Sequence, residues 1–446
     1  MVTQSMYTRA AISNLKFPLE LKKDQLDIVD AWLSNGFRGS IIYSVDTRKT
    51  EIAFECAKKA ANTKAKSFSS YFNILYLVPR IALINYNLER LLNYGIPEEH
   101  IGVYFGERKQ IREITISTYN SIFDNLDLVR TSDMVIFDEM HLVSNTAKTF
   151  SKIFDVVVED HSKAILGLTA VIDKKDSIYN TIMTILPPVK KYTITDAVDE
   201  DRLSRPIIIP LKVKLNDKEQ KLYDCCSTKI KNISHHFKKY NAKSMSLLLT
   251  RGGHIEGLVK AWVVNVRKRE AVLSCSANKL SAAVDLIRKK HPNERVMIFG
   301  DTLNSINKLR DRLESEGIKA MVIDSNMNFS ERQVILSKWG RDFNPLLSIY
   351  TSEIGYDVPH VGIEIILATT SNMNHATQLI GRVLRRYDGK DTALIYLVYV
   401  SDTNDDNILA VVEQVGRITG RKEKALSVAA IANDPKRCIY KTNSPT

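Results

Sequence analysis

Long apolar runs are missing from this 446-residue chain: none approaches the roughly 20 residues that cross a bilayer. The opening stretch, residues 1–17, has no continuous apolar core of the kind that directs secretion. The expectation is a cytoplasmic protein with no membrane partner. Cysteine is scarce too. Cys56, Cys225, Cys226, Cys275 and Cys438 form no C-x-x-C pair and no zinc spacing. This argues against a metal or disulfide framework, and against an iron–sulfur cluster, which needs four suitably placed thiolates. No repeat at solenoid periods and no low-complexity tract interrupts the sequence. Negative charge is in the minority, with 51 Asp and Glu against 63 Lys and Arg, a formal net charge of +12 and a sequence pI near 9.2. Such an excess favours a polyanionic partner, most commonly nucleic acid.

What is present exceeds one core. At 44% hydrophobic residues, a chain of this length fits two or three domains. In residues 1–204, short apolar runs at 40–45, 74–78, 114–117, 134–138 and 164–169 read as buried strands separated by helix-length stretches such as 50–61. The rhythm predicts a parallel sheet with helices on both faces. It returns in residues 276–402, with strand-like runs at 296–299, 320–323, 347–350, 363–368 and 393–398 and a helix over 304–316. Between the blocks, residues 205–275 read as an extended connector at 206–213 followed by a basic, mainly helical insertion over 216–269. A solvated charged face is the plainer account of such cations. The last part, 403–446, reads as a helical extension that becomes irregular from Asn433. The fold class is therefore α/β, with two parallel-sheet lobes.

Two patterns carry chemistry. Val135-Ile136-Phe137-Asp138-Glu139-Met140-His141 ends an apolar strand in two carboxylates, at the sheet edge where α/β proteins bind ligands. There an aspartate such as Asp138 can hold Mg²⁺, and the adjacent Glu139 can deprotonate an attacking water. Gln378-Leu379-Ile380-Gly381-Arg382-Val383-Leu384-Arg385 sets two arginines three apart on one helix face, able to neutralise charge building on a γ-phosphate. Its plain alternative is a surface helix with paired charges.

The order of these motifs resembles the superfamily 2 helicases, and most closely the archaeal XPB-like DNA helicases of the DEAD/DEAH-box type. The resemblance implies two RecA-like lobes, ATP and Mg²⁺ as cofactors, and single-stranded or forked DNA as a partner. Leu21-Lys22-Lys23-Asp24-Gln25 is similar to the motif in which Gln25 would read adenine. Lys49 and Thr50 match the phosphate- and metal-binding positions, with Asp138 the second metal residue. Glu139, Gln378, Arg382 and Arg385 take catalytic roles. Gly355 and Asp357, in Gly355-Tyr356-Asp357-Val358-Pro359, join the nucleotide-binding set. Pro79, Arg80, Thr118, Tyr119 and Thr351 match strand-contacting positions, and His141, Thr169 and Ala170 match those coupling hydrolysis to movement. The 216–269 insertion sits where XPB-like proteins carry a DNA-gripping thumb, which turns its cations towards a nucleic-acid role. A nuclease partner, DNA repair or transcription, and movement driven by closure of a nucleotide cleft are further implications.

The sequence departs from the pattern at the phosphate loop. A P-loop reads G-x-x-x-x-G-K-[ST], because glycines let backbone N–H groups converge on phosphates. Here Tyr43-Ser44-Val45-Asp46-Thr47-Arg48-Lys49-Thr50 keeps Lys49 and Thr50 but places Tyr43 and Arg48 at the glycine positions. Asp46 puts a carboxylate near a triphosphate. Arg48 in a glycine conformation costs roughly 1 kcal/mol, though its charge could also aid the phosphates. Val171 stands where threonine is usual, and Asp173-Lys174-Lys175-Asp176 where XPB proteins carry Arg-Glu-Asp. Two readings follow: an ATP-dependent DNA helicase or translocase, or a helicase-fold nucleic-acid binder with weak or absent ATPase activity. A metabolic P-loop kinase has no second lobe and no Q-x-x-G-R-x-x-R.

Overall fold

A computed structural model describes residues 10–18, 20–43, 49–64, 71–140, 147–170, 179–237, 244, 245, 248, 249, 253, 255–324, 327, 329–349, 360–368, 380, 381, 383–387, 389–409, 426 and 427. The chain divides into two compact units, Met1–Glu200 and Asp201–Thr446.

The described residues of the first unit hold eight strands: β1 (Arg38–Tyr43), β2 (Ile74–Val78), β3 (Ile101–Phe105), β4 (Arg108–Lys109), β5 (Ile114–Thr118), β6 (Met134–Phe137), β7 (Ala164–Thr169) and β8 (Pro188–Tyr192). Their order is β4-β3-β5-β2-β6-β7-β1-β8, parallel throughout except for the β3–β4 hairpin. β2, β5, β6 and β7 are buried at every position. This is why they read as unbroken apolar runs: a parallel sheet with both faces covered leaves no polar side. Trp32, on helix Lys23–Ser34, is fully buried and donates its indole N–H to the Ile165 carbonyl at 3.0 Å.

The second unit carries β9 (Arg205–Val213), β10 (Val296–Gly300), β11 (Met321–Ile323), β12 (Leu346–Ile349), β13 (Ile363–Ile366), β14 (Thr392–Val400) and β15 (Leu426–Ser427) in the order β11-β12-β10-β13-β14-β9-β15. All described pairings are parallel. The segment 206–213, expected as a connector, is instead a strand paired along its length with β14. Its two prolines explain both the misreading and the outcome. The Arg205 N–H bonds the Asp391 carbonyl on the β14 side, so strand alternation turns the nitrogens of Pro206 and Pro210 to the opposite edge. There β15 pairs only with Leu211 and Lys212. Leu426–Ser427, expected within a helical extension, is a strand because that stretch of edge offers it backbone partners.

The basic insertion is helical where described, as Asp217–Ser234 and Glu256–Ser274. Asn216 caps the first, its side chain accepting from Glu219 N–H while Glu219 accepts from Asn216 N–H. The insertion buries a small core of its own, Ile230, Met245, Val259 and Trp262. Lys218, Lys221, Lys229, Lys231, Arg267 and Lys268 are exposed. Among the described residues, no helix is long and apolar enough to cross a membrane.

Candidate functional site

The carboxyl ends of the first unit's strands gather the residues that the sequence singles out. Ile42 pairs with Thr169, Leu77 with Phe137, and Val78 with Thr118, so β1, β2, β5, β6 and β7 finish along one edge. Pro79 and Arg80 follow β2, Asp138 and Glu139 follow β6, and Ala170 follows β7. This is the edge at which open parallel sheets bind ligands.

At its centre Lys49, the first residue of helix Lys49–Lys64, places Nζ 2.8 Å from Glu139 Oε1. Neither side chain is sealed away, with 12% and 21% of their surfaces exposed. Glu139 holds its backbone at φ 45°, in the left-handed region that L-residues avoid. The neighbouring Met140 fixes this turn from below. A Cβ on Gly167 would lie 2.6 Å from Met140 Sδ, so only glycine on β7 lets Met140 pack there. Asp138 is buried. One carboxylate oxygen accepts the Glu139 N–H at 3.0 Å, and the other accepts the Tyr76 hydroxyl at 3.2 Å. Burial, and then the charge of Glu139, push its carboxyl up to about 7, against the opposing pull of Lys49, Tyr76 and the Glu139 N–H.

Other assigned residues lie elsewhere in character. Gln25 is buried, and its side-chain oxygen accepts the Lys22 N–H at 2.8 Å, at the start of helix Lys23–Ser34. Thr118 and Tyr119, taken as strand-contacting, are buried side chains. Thr118 Oγ1 caps the helix Tyr119–Phe123 by accepting from Ser121 N–H, and the Tyr119 hydroxyl donates to the Asp138 carbonyl at 2.7 Å. Motif position follows the backbone, and here both side chains point into the fold. Tyr43, at the first glycine position, is fully buried and has no positive φ. Its ring packs 4.8 Å from that of Tyr192 and its hydroxyl donates to Asp24. The missing glycine there costs no backbone strain, because the position is still strand.

In the second unit Arg385 forms a backbone bridge with Leu203, and Ser204 N–H donates to the Leu384 carbonyl at 2.7 Å. The buried Lys390 ammonium gathers the carbonyls of Val361 (2.6 Å), Arg385 (2.9 Å) and Val383. Asp46, Arg48, His141, Val171, 173–176, Thr351, Gly355, Asp357, Gln378 and Arg382 lie outside the described residues.

Two groups at the site escaped the sequence reading. Tyr76 was absorbed into an apolar strand, although it is the one hydroxyl-bearing residue in Ile-Leu-Tyr-Leu-Val. Glu51, one residue beyond Thr50, is buried and accepts the Tyr94 hydroxyl at 2.7 Å, with Arg90 at 3.3 Å. Its signal was a carboxylate among the apolar positions of a helix. For Mg²⁺ the donor set fits. The cation keeps several waters and takes one or two carboxylates plus phosphate oxygens. Asp138 and the Thr50 hydroxyl supply hard oxygen donors, and no cluster of three or more potential metal ligands exists among the described residues.

Comparison with known families and structures agrees with this arrangement. Residues 18–174 match the family described as type III restriction enzyme, res subunit, and residues 278–387 match the helicase conserved C-terminal domain. The DNA 3'-5' helicase XPB of Mycobacterium tuberculosis is 23% identical over 402 residues, covering 86% of this chain and 62% of the relative. This chain therefore spans about three-fifths of that helicase's length. Two solved structures share the fold at 16% identity. The Hef helicase domain of Pyrococcus furiosus has a TM-score of 0.56 and covers 89% of this chain and 100% of its own. The type ISP restriction-modification enzyme LlaBIII, bound to DNA, has a TM-score of 0.59 and covers 91% and 30%.

Proposed function

The chain belongs to the superfamily 2 helicases, with XPB-type helicases among its relatives, and on that premise we propose that it is an ATP-driven motor moving on DNA. The observation that carries the reading is the Lys49–Glu139 pair beside Asp138 at the sheet edge. A cation that must receive phosphate is parked on the carboxylate that must receive a proton. A triphosphate arriving at Lys49 takes over the ammonium and releases Glu139, whose left-handed backbone holds it beside the metal-binding aspartate. Glu139 then orients a water and accepts its proton. Asp138 and Thr50 would hold Mg²⁺, which supplies charge neutralisation on the phosphates when bound.

DNA would be held through its phosphates. Arg80 and the exposed cations Lys218, Lys221, Lys229, Lys231, Arg267 and Lys268 suit a contact that is tolerant of sequence and sensitive to salt. XPB is named as a DNA helicase and LlaBIII is seen with DNA, which favours DNA over RNA. DNA repair or transcription in the cytoplasm, with a nuclease as partner, is the setting proposed. A second reading, a DNA-binding protein of this fold with little turnover, is favoured by Asp46 and Arg48 in the phosphate loop.

Phosphate release by purified protein, with and without single- and double-stranded DNA, separates them. The motor reading expects DNA-stimulated turnover that falls by roughly 100-fold or more in Lys49→Ala, as for other groups that stabilise transition-state charge. If the two proteins release phosphate equally, the motor reading fails. The binder reading then expects DNA affinity to persist, and nucleotide affinity to rise when Arg48→Gly and Asp46→Gly are combined.

A further inference from the structure

A phenol lies behind the carboxylate assigned to the metal. Tyr76 sits at the middle of β2, one strand from β6, paired in register with Ile136 two residues ahead of Asp138. Its ring is buried and packs 5.6 Å from Phe54 on helix Lys49–Lys64. Its hydroxyl donates to Asp138 Oδ2 at 3.2 Å. A phenol has one proton to give, and here it is directed at Asp138.

We propose that Tyr76 is the positioning residue of the metal–phosphate site, a phenol that orients the Asp138 carboxylate towards the cation. A carboxylate holds a metal well only when its lone pairs are aimed, and groups behind the ligand normally provide that aim. Asp138 has Oδ2 tied by Tyr76 and Oδ1 by the Glu139 N–H, so the carboxylate plane cannot turn. Phe54 and the buried strand keep the phenol from swinging away. Asp138 alone would leave this orientation to chance.

The inference rests on the motor reading, and the test keeps the two apart. Binding of a fluorescent, non-hydrolysable ATP analogue is titrated with and without Mg²⁺ in wild type, Tyr76→Phe and Phe54→Leu. Tyr76→Phe keeps the ring and removes one oxygen. Its Mg²⁺-dependent gain in affinity should fall by about 10-fold or more, the usual effect of losing a partner behind a metal ligand, while binding without Mg²⁺ stays near wild type. Phe54→Leu should lower the thermal midpoint yet keep the Mg²⁺-dependent gain, because it loosens packing and spares the hydroxyl. An unchanged or larger Mg²⁺ gain in Tyr76→Phe overturns the proposal and leaves the motor reading standing. Equal loss of the gain in both variants also overturns it, since ring packing would then be the cause. If wild type shows no nucleotide binding, the motor reading itself falls and takes this proposal with it.

Discussion

Each unit of this protein has a lysine–carboxylate pair near the carboxyl ends of its strands, and the two pairs are built for opposite ends. Lys49 and Glu139 meet at 2.8 Å with their side chains 12% and 21% exposed. Lys279 and Asp405 meet at 2.6 Å with none of either side chain exposed. Lys279 also donates to the Leu367 carbonyl at 2.9 Å, and Asp405 accepts the Val400 N–H at 2.9 Å, so the second pair ties the ends of β13 and β14 together. A pair that water can reach exchanges partners cheaply, whereas a sealed pair must be kept or the core is left with a naked charge. Exposure, more than distance, separates a pair that a ligand can open from one that holds a fold.

Removing each lysine should break the comparison most clearly. Lys279→Met keeps the aliphatic stem and strands Asp405, at a cost of about 3–5 kcal/mol. Lys49→Ala removes a half-open pair and should cost about 1 kcal/mol or less. Denaturation followed by hydrogen exchange at β14 for the first variant and β6 for the second would measure both. Equal losses in the two variants would erase the distinction between an open pair and a sealed one.

The contrast in exposure was invisible in the sequence, although much of the scaffold was not. Central parallel strands announce themselves, because burial on both faces demands runs such as Ile-Leu-Tyr-Leu-Val and Met-Val-Ile-Phe. β9 hid behind Pro206 and Pro210, whose missing N–H groups matter only on the side facing β14, where they do not point. The meeting of Asp138, Glu139 and Lys49 at one sheet edge was legible because a motif records backbone positions. The directions of Thr118 and Tyr119 were not, since a motif says nothing of where a side chain packs. Tyr76 and the Lys279–Asp405 pair required the strands to be aligned first. Lys279 and Asp405 are 126 positions apart, and no local pattern joins them.

A pH titration sharpens the difference at intermediate size. Asp138, at the open site, has its carboxyl pushed up to about 7, chiefly by burial, from an unfolded value of about 3.9. The native state therefore holds a proton that the unfolded chain releases across that interval. Its contribution is intact below about pH 4, declines as pH rises towards 7, and is spent above it. Asp405 is raised by burial as well, so wild type carries both slopes. Thermal midpoints of metal-free Asp138→Asn should fall less between pH 4 and 7 than those of wild type. Parallel curves would mean that Asp138 ionises in the fold as it does in water.

The smallest expected effect concerns backbone strain, which only the open pair carries. Glu139 sits at φ 45°, whereas neither Lys279 nor Asp405 has a left-handed backbone. Strain of this kind persists where surrounding contacts over-determine a turn, and here Met140 seated over Gly167 supplies such contacts. Replacing Glu139 by Ala or by Gly deletes the same carboxylate and the same ion pair, so the two variants differ in a single methyl group. At an ordinary position Ala would be the more stable by roughly 0.5–1 kcal/mol. At a left-handed position the order reverses, with Gly ahead by about 1 kcal/mol, a rise of roughly 2–4 °C in midpoint for a unit of this size. Both should lack DNA-stimulated phosphate release, which separates the strain from the chemistry. Should Glu139→Ala melt at or above Glu139→Gly, the turn is relaxed in solution, and the open pair would differ from the sealed one in exposure alone.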